Sequence, residues 1–426
     1  MYESKTAMHH EITKCRICGS SDLIPILNLG KQNLTGVFPT KKDEKITSGP
    51  LALVKCAGDK AGNSCGLLQL RHSYDLHEMY GLNYGYRSGL NRSMIDHLHN
   101  IVNKICTLVD LKPEDLIIDI GSNDSTLLQG YPKKGYTLVG IDPTGRKFKD
   151  YYPDQIHLIA DFFSARSIKD RFGSRKAKVI SSIAMFYDLE SPIDFMQQIH
   201  DVLADDGVWV FEQSYMPAML EMNAYDTVCH EHLEHYGLTQ IKWMTDRVGF
   251  KIIDVELNNV NGGSFALVVA KSNAPYREAG SLVEAILGKE KGKGLHTLRP
   301  YEEFKKRVFQ HRDEFIGFLQ KTKSEKQSVL GYGASTKGNV ILQFCHITEQ
   351  DIPFIAEVNK DKFGCYTPGT LIPIISEAEA RAMKPDYFIV LPWHFKENII
   401  AREVEYLSSG GTLFFPLPEL EAVKKQ

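Results

Sequence analysis

Residues 230–235 are His-Glu-His-Leu-Glu-His, so three imidazoles and two carboxylates fall within six positions. Paired zinc ligands on a helix require two histidines at i and i+4 with a glutamate between them, whereas these histidines are separated by two, three and five positions. The segment therefore favours acid/base chemistry, in which a histidine oriented by a neighbouring carboxylate removes a proton next to a carbonyl group. The alternative interpretation is a solvated polar helix end.

A glycine-containing loop follows the first buried strand that the sequence predicts. Residues 116–120, Leu-Ile-Ile-Asp-Ile, form an apolar run of the kind buried in parallel sheets, and a glycine comes directly after it. A glycine there lets a ligand approach the backbone and the N-terminus of the next helix. The loop lacks G-x-G-x-x-G, and its acidic residues repel a pyrophosphate but suit the cationic methionine part of S-adenosylmethionine. The predicted donor-binding residues of this loop are Asp119, Gly121, Asn123 and Asp124.

Acidic residues also stand at the ends of the next two predicted strands. Asp142 follows the run at 136–141 and is placed to accept both hydroxyl groups of a ribose. Asp161 comes after the third strand, where its carboxylate could take an adenine amino group while Phe162 stacks on the base. Acidic strand ends are also common as helix caps, so no position is specific alone. Three acidic strand ends in this order, at Asp119, Asp142 and Asp161, favour a methyl-donor site over a dinucleotide site.

Four of the eight cysteines lie within the first 65 residues, in two pairs. Cys15 and Cys18 form a C-x2-C knuckle in which Gly19 permits the turn, whereas Cys56 and Cys65 are more widely spaced. In a reducing compartment, two separated cysteine pairs indicate a structural zinc site, because four thiolates complete a closed tetrahedral shell. We expect zinc here, and a metal-free fold is the alternative.

Two further glycine-rich segments could meet a ligand. Residues 331–338 follow a predicted strand and open a helix, a geometry that presents backbone N–H groups and Lys337 to phosphates. A tight packing turn is the alternative, but together with the loop at 367–373 the segment favours a nucleotide diphosphate. The double glycine within residues 261–264 is either a β-bulge or a point where a ligand approaches the backbone at Gly263.

These candidate residues are positioned by two regions in which strands and helices alternate, the pattern of doubly wound α/β domains. A glycine- and lysine-rich stretch at 288–294 is predicted to link them. The sequence therefore predicts an α/β protein of three domains. They are a small zinc-binding domain at 10–75, a Rossmann-like S-adenosylmethionine domain at 76–285, and a second doubly wound α/β domain at 295–426.

Composition disfavours several classes of protein. Lys plus Arg number 50 against 53 for Asp plus Glu, and no basic block is present, so nucleic acid is not expected as a partner. No apolar run approaches the ~18 residues of a membrane span, and residues 1–7 lack the apolar core of a signal peptide. We expect a cytoplasmic protein without a membrane partner, as a monomer or a small homo-oligomer.

With these pieces placed, the chain resembles the sugar C-methyltransferases that act on nucleotide-linked 4-keto-deoxyhexoses, most closely the 3-C-methyltransferases for branched sugars. The resemblance covers nearly the whole length, and its motifs are specific in combination and order. It rests on the cysteine domain, the donor loop at 119–124, Gly66-Leu-Leu-Gln-Leu70, Tyr84-Gly-Tyr86-Arg-Ser, His230-Glu231-His232 with Tyr236, Asn261-Gly-Gly263-Ser, residues 331–339 and Pro368-Gly-Thr-Leu-Ile-Pro373.

The resemblance implies structural zinc, bound S-adenosylmethionine, and a sugar nucleotide held between the C-terminal domain and the cleft. It makes His232 the base, with Glu231 and a connector tyrosine, Tyr86 or Tyr84, around the keto sugar. The predicted acceptor-binding residues are Tyr84, Gly263, Lys337 and Asn339.

The chain departs from the family pattern at several positions. Cys229 stands where a tyrosine is frequent, and Phe186-Tyr187 stands where a histidine can occur, so Tyr187 is a candidate substitute in acid/base chemistry. Ser125 replaces a common glycine of the donor loop, and His394 replaces a common asparagine. The departures at Cys229 and Phe186-Tyr187 concern secondary acid/base partners and leave the central histidine intact.

The expected reaction follows from the carbonyl group. A ketone at C-4 acidifies the proton at C-3, and its removal gives an enolate whose carbon attacks the S-methyl group, without a catalytic metal. One alternative is an O- or N-methyltransferase acting on a sugar nucleotide. Another is a non-catalytic scaffold that binds zinc and a sugar nucleotide, against which stand the intact Asp119, Gly121, Asp142 and His232.

Overall fold

The computed structural model describes residues 9–57, 64–80 and 84–425. Its first region consists of β1 (His9–Glu11), β2 (Leu23–Asn33), β3 (Ser48–Cys56), β4 (Leu68–Leu70), β5 (His72–Tyr74) and α1 (Leu76–Met79). Strands β2, β3 and β4 form an antiparallel sheet, and β1 pairs with β5. Cys56 ends β3, and the other three cysteines lie in the segments next to this sheet.

The second region alternates strands and helices. Its elements are α2 (Arg92–Leu108), β6 (Leu116–Ile120), α3 (Thr126–Gln129), β7 (Thr137–Ile141), α4 (Gly145–Phe148), β8 (Ile156–Ile159), α5 (Ala165–Phe172), β9 (Ala177–Ile183), α6 (Pro192–Val202), β10 (Leu203–Ser214), α7 (Met216–Glu221), β11 (Glu234–His235), α8 (Leu238–Val248), β12 (Phe250–Asn258) and β13 (Ser264–Lys271).

Seven of these strands form one sheet in the order β12-β13-β10-β9-β6-β7-β8. Strands β6 to β10 pair in parallel and β13 is antiparallel to its neighbours, while every residue of β6 is buried, as an apolar central strand requires. The strand order reverses beside β6. In such sheets the ligand crevice lies outside the carboxyl ends of the strands at that reversal, which here is the loop that follows β6.

The prediction that residues 288–294 form a linker is wrong. Helix α9 (Gly280–Gly292) continues through most of it, and α10 (Arg299–Ser324) follows. Each glycine costs about 1 kcal/mol relative to alanine in a helix interior, and the lysines do not offset this cost, so a tertiary contact has to stabilise the helix here. Glu290, which is 2% exposed, anchors the helix because its carboxylate accepts from the backbone N–H groups of Leu238 and Thr239 at the start of α8.

The third region repeats the strand and helix alternation. Its elements are β14 (Val329–Tyr332), α11 (Thr336–Phe344), β15 (Ile355–Glu357), β16 (Ile374–Ser376), α12 (Glu377–Ala382), β17 (Tyr387–Val390), α13 (Lys396–Arg402), α14 (Val404–Ser408), β18 (Thr412–Phe415) and β19 (Glu421–Val423). The sheet order is β16-β15-β14-β17-β18-β19, parallel except for β19. The order reverses beside β14, so the loop that follows β14 also lies at a switch point.

The N-terminal region packs on both other regions. Its strand residues Leu51 and Leu53 share a core with Val340 and Ile341 of α11, whereas the cysteines share a core with Trp209 and other residues of the seven-stranded sheet. Strand β11 of the second region pairs with β4. The N-terminal region therefore packs against both doubly wound regions. Among the described residues, no helix combines the length and apolarity needed to cross a membrane.

Candidate active site

A cavity of about 1000 Å³ lies where the two doubly wound regions meet. The two glycine loops at the switch points both open into it, and so does the segment rich in histidines. The predicted site residues that line it are Tyr84, Tyr86, Asp119, Gly121, Asn123, Asp142, Phe162, Tyr187, Glu231, His232 and Lys337. Residues more than 250 positions apart in the chain are thus brought into one space.

The loop after β6 forms one end of the cavity. Asp119 is 3% exposed and accepts a 2.6 Å hydrogen bond from Ser181 Oγ, and burial raises the pKa of its carboxyl group to about 7. Gly121 has a φ of 74°, and a Cβ atom there would lie 3.0 Å from Met185 Cγ. A left-handed backbone next to a close neighbour requires glycine, which leaves the loop open on the cavity side.

The carboxylate of Asp142 ties this loop to the next strand. Its Oδ2 accepts from the backbone N–H of Asn123 at 2.8 Å, and its Oδ1 accepts from Thr144 N at 2.7 Å. Asp142 is 6% exposed, and burial raises its pKa while the three hydrogen-bond donors, including Thr144 Oγ1, oppose the rise. The carboxylate at the end of β7 is therefore held rigidly at the cavity wall.

Two of the predicted donor-site residues lie off the cavity lining. Asp124 holds the connector instead, because its Oδ2 accepts from Gly89 N at 2.9 Å and faces Arg87 Nη1 at 3.4 Å. Asp161 is exposed, and its Oδ1 accepts from Phe162 N at 2.8 Å. Neither side chain points into the space that the donor loop bounds, whereas the ring of Phe162 does line it.

His232 presents one ring nitrogen to the cavity. Its Nδ1 lies 2.8 Å from the carbonyl oxygen of Thr227, so Nδ1–H donates there and Nε2 keeps its lone pair. Burial, with a smaller contribution from the nearby Lys337, lowers the pKa of His232 to about 3. The ring of Tyr187 packs edge-on against the imidazole with centroids 4.3 Å apart. The resting histidine is neutral and oriented.

The neighbouring Glu231 is buried, with 6% of its surface exposed. Its Oε2 accepts from Thr35 Oγ1 at 3.4 Å, and burial raises the pKa of the carboxyl group. A Cβ atom at Gly36 would lie 2.2 Å from Glu231 Oε1. The loop of the N-terminal region around Thr35 therefore packs against the Glu231 side chain.

The other two histidines of the segment are buried in the core. His230 is 0% exposed, packs edge-on against Tyr74 at 4.6 Å, and has no hydrogen-bond partner for either ring nitrogen in the described part of the chain. His235 is 3% exposed and lies in β11. Burial lowers the pKa of both to about 3. Of the three histidines, His232 lines the cavity.

The loop after β14 forms the other end of the cavity. Lys337 stands in the first turn of α11, and its Nζ donates to the carbonyl oxygen of Asn261 at 2.9 Å. Asn339 lies off the lining because its Nδ2 donates to Thr35 O at 2.8 Å within a fully buried environment. Gly263 also lies off the lining, where its φ of 115° and a Cβ position 2.6 Å from Ala218 Cβ indicate tight packing.

Several residues on the lining were missed by the sequence interpretation. Tyr80 OH donates to Asp188 Oδ2 at 2.7 Å beside Tyr187. Lys362 donates to Ala334 O at 2.7 Å, on the loop after β14. Glu357 ends β15 and accepts from Ala334 N, Val358 N and Asn359 N. Of these residues, only Glu357 had a signal in the sequence. It is an acidic residue at the end of a predicted strand, and Asp142 likewise directly follows β7.

The four predicted zinc ligands converge. The Sγ atoms of Cys15, Cys18, Cys56 and Cys65 all lie within 4.8 Å of one another, with Cys15 to Cys65 at 3.4 Å and Cys18 to Cys56 at 3.5 Å. Tetrahedral zinc with Zn–S bonds of ~2.3 Å separates its sulfur ligands by ~3.8 Å, so the four thiolates fit this ion. Residues 58–63 of the loop between the second pair lie outside the described residues.

Comparisons with known proteins agree with this arrangement. Family models match a zinc binding domain at residues 15–80, a methyltransferase domain at 86–255 and a C-methyltransferase C-terminal domain at 259–418. The C-methyltransferase NovU of Streptomyces niveus is 28% identical over 421 residues, which are 97% of this chain and 98% of NovU.

Solved structures align with the chain only in part. The 1,6-didemethyltoxoflavin-N1-methyltransferase of Burkholderia thailandensis with S-adenosylhomocysteine is 9% identical, covering 42% of this chain and 78% of that one with a TM-score of 0.32. The CcbJ methyltransferase of Streptomyces caelestis is 10% identical, covering 41% and 90% with a TM-score of 0.33.

The seven-stranded sheet with its donor loop, beside a closed four-thiolate site, defines an S-adenosylmethionine-dependent methyltransferase with structural zinc. The three matched domains follow one another over nearly the whole length. The chain carries the zinc-binding, methyltransferase and C-methyltransferase C-terminal domains in this order and is similar to a C-methyltransferase over nearly its whole length.

Proposed function

We propose that this enzyme transfers the methyl group of S-adenosylmethionine to C-3 of a nucleotide-linked 4-keto-6-deoxyhexose, with His232 as the base. The observation that most supports the proposal is the environment of His232. The imidazole shares one cavity with Gly121 and Lys337, and its bond to Thr227 O leaves Nε2 free to accept a proton. A neutral, oriented imidazole next to a donor loop suits carbon acid chemistry.

His232 Nε2 takes the C-3 proton of the ketone, and the electron pair of that C–H bond gives the enolate. The enolate carbon then forms a bond to the methyl group while the sulfur–methyl bond breaks and leaves its electron pair on the sulfur of S-adenosylhomocysteine, and the C-4 ketone is restored. Tyr187 and Tyr84 are suited to donate to the enolate oxygen, because burial raises the pKa of both well above 10 and keeps their hydroxyl groups protonated.

Electrostatics connect the base to acceptor binding. Lys337 lowers the pKa of His232 in the free enzyme. A diphosphate bound beside Lys337 would offset the lysine charge and so raise the pKa of His232 toward the range in which a general base is effective. Burial, the larger cause of the low pKa, would remain, so His232 stays unprotonated until it takes the C-3 proton.

The donor end of the cavity has the residues that S-adenosylmethionine needs. The sulfonium ion supplies an electrophilic methyl group when it is bound. Asp142 is suited to accept the ribose hydroxyls, the Gly121 loop to accommodate the methionine part with Asp119 and Asn123, and Phe162 to stack on the adenine. Asp124 supports this loop through its contacts with the connector, and Asp161 is the predicted partner of the adenine amino group.

The acceptor end has matching charges for a nucleoside diphosphate. Lys337 and Lys362 flank the loop that follows β14, and the N-terminus of α11 adds the positive end of its helix dipole. Glu357 stands at the end of β15 as Asp142 stands at the end of β7, which suits a ribose hydroxyl. Asn339 and Gly263 contribute by shaping this end, since Asn339 holds Thr35 O and Gly263 packs on Ala218.

Glu231 and Tyr86 complete the proposed surroundings of the keto sugar, both from the cavity lining. The full-length similarity to the C-methyltransferase NovU supports methyl transfer to carbon rather than to oxygen or nitrogen.

Four thiolates bound to zinc are compatible with a reducing compartment, and we propose the cytoplasm. The domain boundaries at 10–75, 76–285 and 295–426 stay a prediction.

A panel of nucleotide-linked 4-keto-6-deoxyhexoses tests the function. Incubation with S-adenosylmethionine should add the mass of one methylene group to one of them, and carbon NMR should locate the new carbon at C-3. A substrate deuterated at C-3 should lose its deuterium on methylation. Retention of that deuterium in a methylated product would contradict C-3 methylation and indicate an O- or N-methyltransferase.

A further inference from the structure

Arg16, a residue of the zinc knuckle, reaches the segment that carries His232. It lies between two of the metal-binding cysteines, and its side chain is 2% exposed. The guanidinium group donates to Leu70 O at 2.6 Å and to Ser73 Oγ at 2.7 Å. These two bonds to the N-terminal region fix its direction, because the planar fork of arginine cannot rotate without breaking them.

The same guanidinium group faces two acidic residues of the methyltransferase domain. Arg16 Nε lies 3.4 Å from Glu190 Oε2 and 3.7 Å from Glu234 Oε1. Glu190 comes three residues after Tyr187, and Glu234 comes two residues after His232. One side chain therefore contacts both segments from which the acid/base residues project.

Glu234 depends on this contact. Its side chain is 0% exposed, and neither carboxylate oxygen has a hydrogen-bond partner within the described ranges 9–57, 64–80 and 84–425. Arg16 is the cation at ion-pair distance from it in those ranges. Burial raises the pKa of the Glu234 carboxyl group, and Arg16 opposes that rise. Without Arg16 the carboxyl group would be neutralised or would move toward water. Glu234 lies in β11, so its movement would displace the strand that continues the His232 segment.

The backbone strengthens the connection. Leu70 N donates to Leu233 O at 2.8 Å, and β11 pairs with β4, which precedes the Ser73 that Arg16 binds. Leu70 thus contacts the His232 segment through its N–H group and Arg16 through its carbonyl group. The zinc knuckle, β4 and the His232 segment form one connected structure.

We propose that Arg16 is a positioning residue that connects the zinc knuckle to the acid/base segments by binding Glu234 and Glu190. Through these two contacts it keeps the side chains of His232 and Tyr187 in their positions at the cavity. The proposal rests on the role proposed above for His232. It gives the zinc-binding domain a part in turnover beyond its own folding.

The test compares Arg16→Gln with Arg71→Gln in the full-length, zinc-loaded protein. Arg71 is a matched control because it belongs to the same domain and pairs with Glu11, but at the surface with 41% of its side chain exposed. Arg16→Gln should keep its zinc by elemental analysis and its donor affinity by calorimetry. Its kcat should fall by at least ~10-fold at a similar acceptor KM, because displacing a reacting group by about 1 Å can cost ~100-fold. Arg71→Gln should match the parent.

A double variant and a measurement without substrate separate positioning from general damage. In Arg16→Gln/Glu234→Gln the carboxylate that needs a counter-charge is gone, so kcat should recover at least ~3-fold over Arg16→Gln alone, as coupled neighbours do. Hydrogen–deuterium exchange of residues 229–237 in the ligand-free protein should be faster in Arg16→Gln than in Arg71→Gln or the parent.

Unchanged kcat and unchanged exchange in zinc-loaded Arg16→Gln would overturn the proposal. Loss of zinc or donor binding in parallel with kcat would also overturn it, since Arg16 would then serve only the integrity of the fold. Failure of the His232 proposal gives a different result: His232→Gln keeps its turnover, while Arg16→Gln still shows the faster exchange of 229–237.

Discussion

Replacing His232 with glutamine removes the proposed base while keeping a side chain of similar length. The glutamine amide overlaps the position of Nε2 better than that of Nδ1, so the change replaces the basic Nε2 with a non-basic group and weakens the hydrogen bond to Thr227 O. A positioned general base contributes ~100- to 10,000-fold, which is about 2.7 to 5.4 kcal/mol of activation free energy. Burial and Lys337 hold the pKa of this histidine at about 3 in the free enzyme, so we expect a loss of ~100-fold, at the lower end of this range.

The assay separates binding, proton removal and methyl transfer. His232→Gln should bind S-adenosylmethionine with parental affinity in calorimetry. It should lose both methyl transfer and the exchange of the C-3 proton with deuterated solvent, measured with S-adenosylhomocysteine in place of the donor. His230→Gln is the matched control: His230 is fully buried off the cavity, so this variant should lose thermal stability and keep its turnover.

The pH profile gives the sharpest refutation. A histidine whose pKa is lowered to about 3 stays unprotonated as the pH falls from 8 to 5, so kcat/KM should show no acid limb from His232 in that range. An acid limb near pH 6.5 that disappears in His232→Gln would refute the burial argument. Turnover within ~3-fold of the parent in His232→Gln, with an inactive His230→Gln, would move the proposed role to His230.

Three further predictions concern binding and stability. Asp142→Ala should weaken donor binding by at least ~10-fold in calorimetry with an unchanged circular dichroism spectrum, whereas parental affinity would remove Asp142 from the donor site. Lys337→Ala should raise the acceptor KM by at least ~10-fold, and an equal loss of donor affinity would instead show misfolding. Cys18→Ser should lose zinc and lower the melting temperature by several degrees, because binding of a structural zinc contributes to folding; fully active protein without zinc would contradict this.

Much of the fold could be predicted from the sequence because buried parallel strands need continuous apolar runs. The run at 116–120 became β6, and the acidic residue after the next run became the cavity-lining Asp142. The spacing of Cys15 and Cys18 indicated a knuckle, since only a tight turn brings two thiolates of neighbouring residues to one metal. In each case the pattern reports local conformation and burial, which neighbouring residues determine.

The prediction of a linker at 288–294 was wrong because a contact with a distant part of the chain determines the conformation of this segment. Its glycines and lysines resemble a flexible connector, but Glu290 binds the N-terminus of α8, more than 50 residues away in the chain, and that contact stabilises the helix. Local propensity is a weak preference, and a tertiary contact of this kind overrides it.

The sequence by itself determined which side chains could do chemistry and at which strand ends they would stand. Only the tertiary structure decided where they point, because residues 230–235 lie mostly outside regular helices and strands and no period assigns their faces. There His232 is distinguished from His230 by one hydrogen bond to Thr227 O and by the packing of Tyr187. The pairing of Arg16 with Glu234, across 218 positions, depends on how distant segments pack against each other, which no local pattern encodes.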